Sequence, residues 1–159
     1  MSAPRHGPRP VLWLVLPVLF ACAAAWAARP DTWQPRQQSG TLSHTVYAYR
    51  QWQSTGVKLN AGDRFVIRAK GQWTYSPEVG LHGPGGGLPA PPNYPYPYAS
   101  GGALLGRVGE SGEAFYVGSR SFGYAEAPGL LYLRINDDLL GDNKGQLSLD
   151  IQVTPAPDG

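Results

Sequence analysis

Cysteine occurs once in this 159-residue chain, at Cys22, so no disulfide can form within a monomer. The three histidines, His6, His44 and His82, are scattered. That leaves the chain without the His and Cys clustering a zinc site uses. No Gly-x-Ser-x-Gly elbow is present, and neither His44 nor His82 has a triad context. Glu78, Glu110, Glu113 and Glu126 stand apart, with no pair placed as a glycosidase acid and base. These absences argue against an enzyme. Charged residues are also sparse, at 15%, and no convincing helical periodicity occurs. What remains is a chain rich in glycine and proline, with 21 and 16 respectively.

The first 27 residues read as a signal peptide. Arg5 and Arg9 form a basic start, Val11 to Ala21 an apolar stretch, and Ala25-Trp26-Ala27 has the A-x-A form of a cleavage site. The apolar stretch falls short of the roughly 20 residues of a membrane-spanning helix and is interrupted by Pro17. A second reading stands beside it. Leu19-Phe20-Ala21-Cys22 resembles a bacterial lipobox, in which cleavage precedes Cys22 and the cysteine carries lipid. Both imply export: periplasmic, anchored to the outer membrane, or secreted. Loss of Arg5 and Arg9 brings the 13 basic residues level with the 11 acidic ones. A near-neutral product gives no electrostatic case for nucleic acid, whose binding rests on clustered Lys and Arg.

Residues 28–40 read as a short linker, 41–154 as one domain and 155–159 as a tail. Strand signals recur through the domain. Thr41 to Tyr49 alternates, with Leu42, Val46 and Ala48 on one face. Gly56-Val57-Lys58-Leu59 forms a short strand closed by the turn Asn60-Ala61-Gly62-Asp63. Arg64 to Tyr75 is the longest candidate: Phe65, Ile67, Ala69, Gly71, Trp73 and Tyr75 share one parity, and Arg64, Arg68, Lys70, Gln72 and Thr74 the other. That is an antiparallel strand with one wet face. Further candidates are 103–108, 114–117, 130–135 and 146–153, the last with Leu147, Leu149, Ile151 and Val153 inward. The expectation is an all-β protein, a single β-sandwich of about seven to eight antiparallel strands with a jelly-roll or galactose-binding-like architecture.

Two segments interrupt the strand pattern. Gly83 to Gly102 holds six prolines, which remove backbone donors and exclude an interior strand. Tyr94, Tyr96 and Tyr98 alternate with them and favour an ordered loop, either a wall of a binding site or a surface ornament. The second is Asn136-Asp137-Asp138-Leu139-Leu140-Gly141-Asp142-Asn143, with three carboxylates and two carboxamides between two strands. Ca²⁺ takes about six to eight oxygen ligands, so this loop reads as a hard-cation site or else as a plain turn. It is not an EF-hand, because the twelfth position from Asp137 is Ser148 rather than Glu.

Read in order, Trp52 to Asp63, Ile67 to Tyr75, Gly83-Pro84, Ala103 to Gly109, Val117-Gly118, Gly129 to Leu133, Asn136-Asp137 and Asn143-Lys144-Gly145 form a series. It resembles the PA-IL-like family of bacterial galactophilic lectins, β-sandwiches that bind sugar through one Ca²⁺. The resemblance spans roughly Leu42 to Val153. It implies Ca²⁺ as cofactor, held by the Tyr75 carbonyl, Asp137, the Leu140 carbonyl, Asp142 and Asn143. Asp142 stands where the family has a carboxamide, and the loop is shorter than the family pattern. Two sugar hydroxyls would complete the metal shell, with Asp137, Asp142 and Asn143 accepting hydrogen bonds from them. The family's sugar-reading His and Gln are missing from the corresponding stretch, Pro89 to Asn93. Asn93, Tyr94 and His82 are the residues left to contact the sugar, with Tyr96 and Tyr98 extending an apolar platform. The implied partner is a glycan or monosaccharide, galactose-type or otherwise, with a lipid anchor through Cys22 and a homo-oligomer as open options. The rival is an envelope protein that keeps the sandwich and a structural Ca²⁺ but binds no sugar.

Overall fold

A computed structural model describes residues 40–157. The segment read as a signal peptide, Cys22 and residues 28–39 lie outside the described residues, as do residues 158 and 159. Eight strands are present: β1 (Gly40–Tyr47), β2 (Gln53–Leu59), β3 (Arg64–Thr74), β4 (Leu104–Val108), β5 (Phe115–Tyr116), β6 (Arg120–Tyr124), β7 (Gly129–Ile135) and β8 (Lys144–Thr154). They form two four-stranded antiparallel sheets, ordered β1-β8-β3-β6 and β2-β7-β4-β5. The architecture is the expected β-sandwich.

Alternation in β3 and β8 explains why these strands anchor the first sheet. The two pair along their whole length, from Arg64 opposite Thr154 to Thr74 opposite Lys144. Phe65, Ile67, Ala69 and Trp73 of β3 and Leu147, Leu149, Ile151 and Val153 of β8 are all buried, as their parity predicts. Facing them, the second sheet contributes Leu104 from β4 and Leu131, Leu133 and Ile135 from β7. Burying each such side chain contributes roughly 1.5–3 kcal/mol. Phe65 and Phe115 bridge the sheets with ring centroids 5.7 Å apart.

The differences from expectation are local. β6 was not anticipated, because Phe122 and Tyr124 on this edge strand face solvent and leave no inward apolar row to read. Leu42 shares the parity of buried Val46 but is 42% exposed, since it lies near the open end of edge strand β1. β2 starts earlier than expected, at Gln53, and a bulge between Ser54 and Lys58 breaks its register with β7. Strand β1 stops at Tyr47 rather than Tyr49. Within the tail, Ala156 N–H donates to the buried Asp63 carboxylate at 2.9 Å, so its first residues are stitched to the β2–β3 turn.

Candidate functional site

The loop between β7 and β8 carries the acidic cluster and crosses from one sheet to the other. The last rung of the β3–β8 ladder, Thr74 opposite Lys144, delivers Tyr75 and Asn143 to the same end of the first sheet. There the Lys144 N–H donates to the Thr74 hydroxyl at 3.1 Å. Asn136, Asp137 and Asn143 are buried, a costly place for polar groups unless each is satisfied.

Asn136 is satisfied completely. Its Nδ2 donates to the Tyr96 and Ser100 carbonyls at 2.9 and 3.0 Å and, more weakly, to that of Ala99 at 3.4 Å. Its Oδ1 accepts from the Tyr96 N–H at 3.0 Å. Its backbone adds two more bonds, from the Gly102 N–H and to the Ala103 carbonyl. One carboxamide thus clamps the Pro/Tyr loop against the end of β7. Short antiparallel bridges, Gly85 with Ala103 and Pro89 with Ser100, give the rest of that loop a defined path.

Asp137, Asp142 and Asn143 are different. Asp137 Oδ1 accepts a long bond from the Leu139 N–H, but its Oδ2 is buried without a partner. Asp142 Oδ1 and Asn143 Oδ1 are likewise buried and unpaired. The Asn143 amide has a fixed sense, because its Nδ2 donates to the Ala48 carbonyl at 3.2 Å and leaves the oxygen as the free end. An unmatched buried acceptor costs on the order of 1–3 kcal/mol, and more when charged. Three acceptors on one short connection, with no donor supplied to them, suit a hard cation. Among the described residues no group of three or more His, Cys, Asp or Glu side chains could hold a metal. The donors at this loop are instead carboxylate and carboxamide oxygens, which does not suit zinc.

The other expected residues fall around this loop in distinct ways. Leu140 opens a 3-10 turn (Leu140–Asp142), packs against the core, and its carbonyl accepts from the Asn143 N–H at 3.4 Å. Tyr75 is buried; its hydroxyl accepts from the Leu88 N–H at 3.1 Å. Its ring lies against Gly102, whose φ of +75° and close approach to that ring leave no room for a Cβ. Tyr94 is half-buried beside Asp137. Burial, then the adjacent Asp137 with its negative charge, raise its phenol above the ordinary value. Asn93 donates to the Asp138 carboxylate, a second tie between the Pro/Tyr loop and the acidic loop. His82 pairs with Trp73 through backbone bonds of 3.0 and 2.8 Å, and its ring hydrogen-bonds the Val79 carbonyl while packing on Tyr75. Tyr98 is 89% exposed and meets Tyr96 edge to face at 5.6 Å.

Sequence reasoning passed over two residues that hold this site. Asn136 was seen only as part of the Asn-Asp pair. Arg134 is buried in β7, donating to the Ile135 carbonyl at 2.9 Å, to Gln51 at 3.1 Å and to the Asp137 carbonyl. A lone cation in the apolar run 130–135 was the available signal for it.

No protein-family model matches this chain, and no curated protein does. Among solved structures, the chain is similar to the EclA N-terminal domain, a PllA-like lectin. The two share 27% sequence identity at a TM-score of 0.58, covering 70% of this chain and 95% of that one. The fold is therefore lectin-like. Two others match at TM-scores too low to carry an argument. One is a de novo designed double-stranded β-helix (0.35, 15% identity, 72% of this chain and 99% of that one). The other is a functionally unknown conserved protein from Bacillus anthracis (0.41, 12% identity, 74% of this chain and 23% of that one).

Proposed function

We propose that this domain is a calcium-dependent carbohydrate-binding module of the PA-IL-like kind, carried by an exported protein and acting by binding rather than catalysis. The observation that carries the reading is the set of three buried, unpaired oxygens on Asp137, Asp142 and Asn143. The lectin-like neighbour supports it independently. The residues that would hold Ca²⁺ are these three together with the carbonyls of Tyr75 and Leu140. Bound there, Ca²⁺ supplies coordination positions to neighbouring sugar hydroxyls.

The chain's own residues do the rest. Asp137, Asp142 and Asn143 present acceptors to those hydroxyls, and Asp138 and Asn93 stand at the rim as an exposed polar pair. Tyr94 and the exposed Tyr98 offer aromatic faces to the C–H side of a sugar ring. The Asn136 clamp fixes the loop that carries them. Galactose-type sugars are the first candidates. The test is a glycan array with Ca²⁺ and with EDTA, paired with calorimetric Ca²⁺ titration. Calcium-dependent glycan capture is the expected result; Ca²⁺ uptake with no glycan capture refutes the lectin reading.

One observation favours a second reading. The Asn93 amide already bonds Asp138 within the protein, and Tyr94 lies beside Asp137. In that reading Ca²⁺ is a clip holding two loops together, in an envelope module that binds no sugar.

A further inference from the structure

Away from the acidic loop, the connection between β1 and β2 folds into a cavity of about 400 Å³ lined by His44, Tyr47, Arg50, Gln51, Trp52 and Ser54, among others. This is within the size range of small-ligand sites, roughly 300–1,000 Å³. Its lining contains one permanent cation, Arg50, and no carboxylate. Among the described residues the Arg50 guanidinium has no hydrogen-bond or ion-pair partner; it lies over the Tyr47 and Tyr49 rings, 4.9 and 5.8 Å from their centroids, while the backbone N–H donates to the Tyr47 carbonyl at 3.4 Å. Stacking of this kind holds the planar group in place while leaving its N–H edge open, the edge that grips a carboxylate with two parallel bonds.

The surroundings add positive charge that nothing nearby neutralises in full. Trp52 carries Arg107 4.5 Å and Arg134 5.6 Å from its ring centroid. Arg107 also faces Tyr132 at 5.2 Å, and its Nε is buried with no acceptor. Arg134 bonds only neutral oxygens; Asp137 and Asp138 offset its charge at longer range, while Arg107 opposes it. Three guanidiniums gathered on aromatic faces create a potential that favours an anion. The neutral groups in the lining suit hydroxyls. The Gln51 amide nitrogen is uncommitted, since only its Oε1 is used by Arg134. The Ser54 hydroxyl accepts from the Gly56 N–H and retains its own hydrogen to donate. His44 adds a buried Nε2 with no partner.

We propose that this cavity is a second ligand site, distinct from the acidic loop, for a carboxylate-bearing saccharide of the uronic acid class. Arg50 takes the carboxylate, Gln51 and Ser54 take ring hydroxyls, and Trp52 forms the apolar wall. No metal is involved, so the site is independent of the calcium reading.

The probe is D-glucuronate, titrated into the full domain in EDTA and followed by amide chemical shifts and calorimetry. Methyl glucoside and acetate serve as controls. Expected are shifts confined to residues 44–54, binding unchanged in Asp137→Ala, and about tenfold or greater weakening in Arg50→Gln, as for loss of a charge-assisted bond. Arg50 is exposed and its side chain hydrogen-bonds no described residue, so its variant retains the fold. Absence of glucuronate binding overturns the proposal, and so does binding that requires Ca²⁺ or fails in Asp137→Ala. Methyl glucoside binding as tightly removes the role of charge, and acetate binding as tightly removes the saccharide; either result also overturns it.

Discussion

Replacing Asn136 by alanine isolates the clamp that joins the Pro/Tyr loop to the sandwich. The substitution removes three bonds of ordinary length, to the Tyr96 carbonyl, to the Ser100 carbonyl and from the Tyr96 N–H, at 2.9, 3.0 and 3.0 Å. At about 1 kcal/mol net for each, the loss is about 3 kcal/mol, with the 3.4 Å bond to Ala99 adding little. A domain of this size commonly has 5–15 kcal/mol in total, so about 3 kcal/mol is a substantial fraction. It corresponds to a fall in melting temperature of roughly 10–15 °C. Asn136→Asp should be worse: it retains an acceptor for the Tyr96 N–H but sets a buried charge against two carbonyls that need a donor. Urea denaturation measures the loss, and hydrogen exchange at the Tyr96 amide reports the loop. If Asn136→Ala costs under about 1 kcal/mol, the bonds do not hold the loop as argued. If stability falls but Tyr96 stays protected, the clamp acts elsewhere.

Calcium should raise the melting temperature reversibly, by the equivalent of about 2.7 kcal/mol at a hundredfold excess over its dissociation constant, with EDTA restoring the original value. Asp137→Asn should abolish that rise while leaving the metal-free protein at least as stable, since it neutralises a buried unpaired carboxylate; retained calcium stabilisation in the variant sinks the site assignment. Burial holds His44 below its ordinary value of 6.5. Its contribution to stability is therefore full above about pH 6.5 and lost as pH falls through the folded pKa, and His44→Gln should flatten this acid limb in pH-dependent melts. Gly102→Ala should cost on the order of 1–3 kcal/mol from its positive φ, and more from collision with the Tyr75 ring; an unchanged melting curve would contradict the packing described.

How much of this was readable beforehand depended on where each residue's partners lie. β3 and β8 were legible because apolar and polar residues alternate and the core accepts the alternation without exception at Phe65, Ile67, Leu149 or Ile151. β6 was illegible because its aromatics face solvent and it pairs only with β3, so no periodic burial marks it. The acidic loop announced itself by composition, and the unpaired oxygens fall on three residues singled out in advance, Asp137, Asp142 and Asn143. The Asn136 clamp was hidden for a different reason. Its partners lie 36 to 40 residues upstream, in a segment whose prolines advertise only what it cannot be. His82, expected near the sugar, has one ring nitrogen bonded to the Val79 carbonyl and its ring against Tyr75, partners that its sequence neighbourhood did not announce.

The order β1-β8-β3-β6 has a consequence for the route by which the chain folds. β1 finds its whole ladder on β8, with Ser43 and Asp150 meeting across a sequence separation of 107, and β3 spends all eleven of its residues on the same strand. The first described strand thus waits for the last. Until β8 is in place, β1 has no partner in its sheet, and β3 keeps only β6 along part of its length. Such pairing closes large loops before it gains contacts, which favours slow, cooperative assembly over stepwise growth from the N-terminal side. The strand that enters directly from the acidic loop is also the keystone on which the sheet closes, so Asn143 and Tyr75 meet only when that final step is complete.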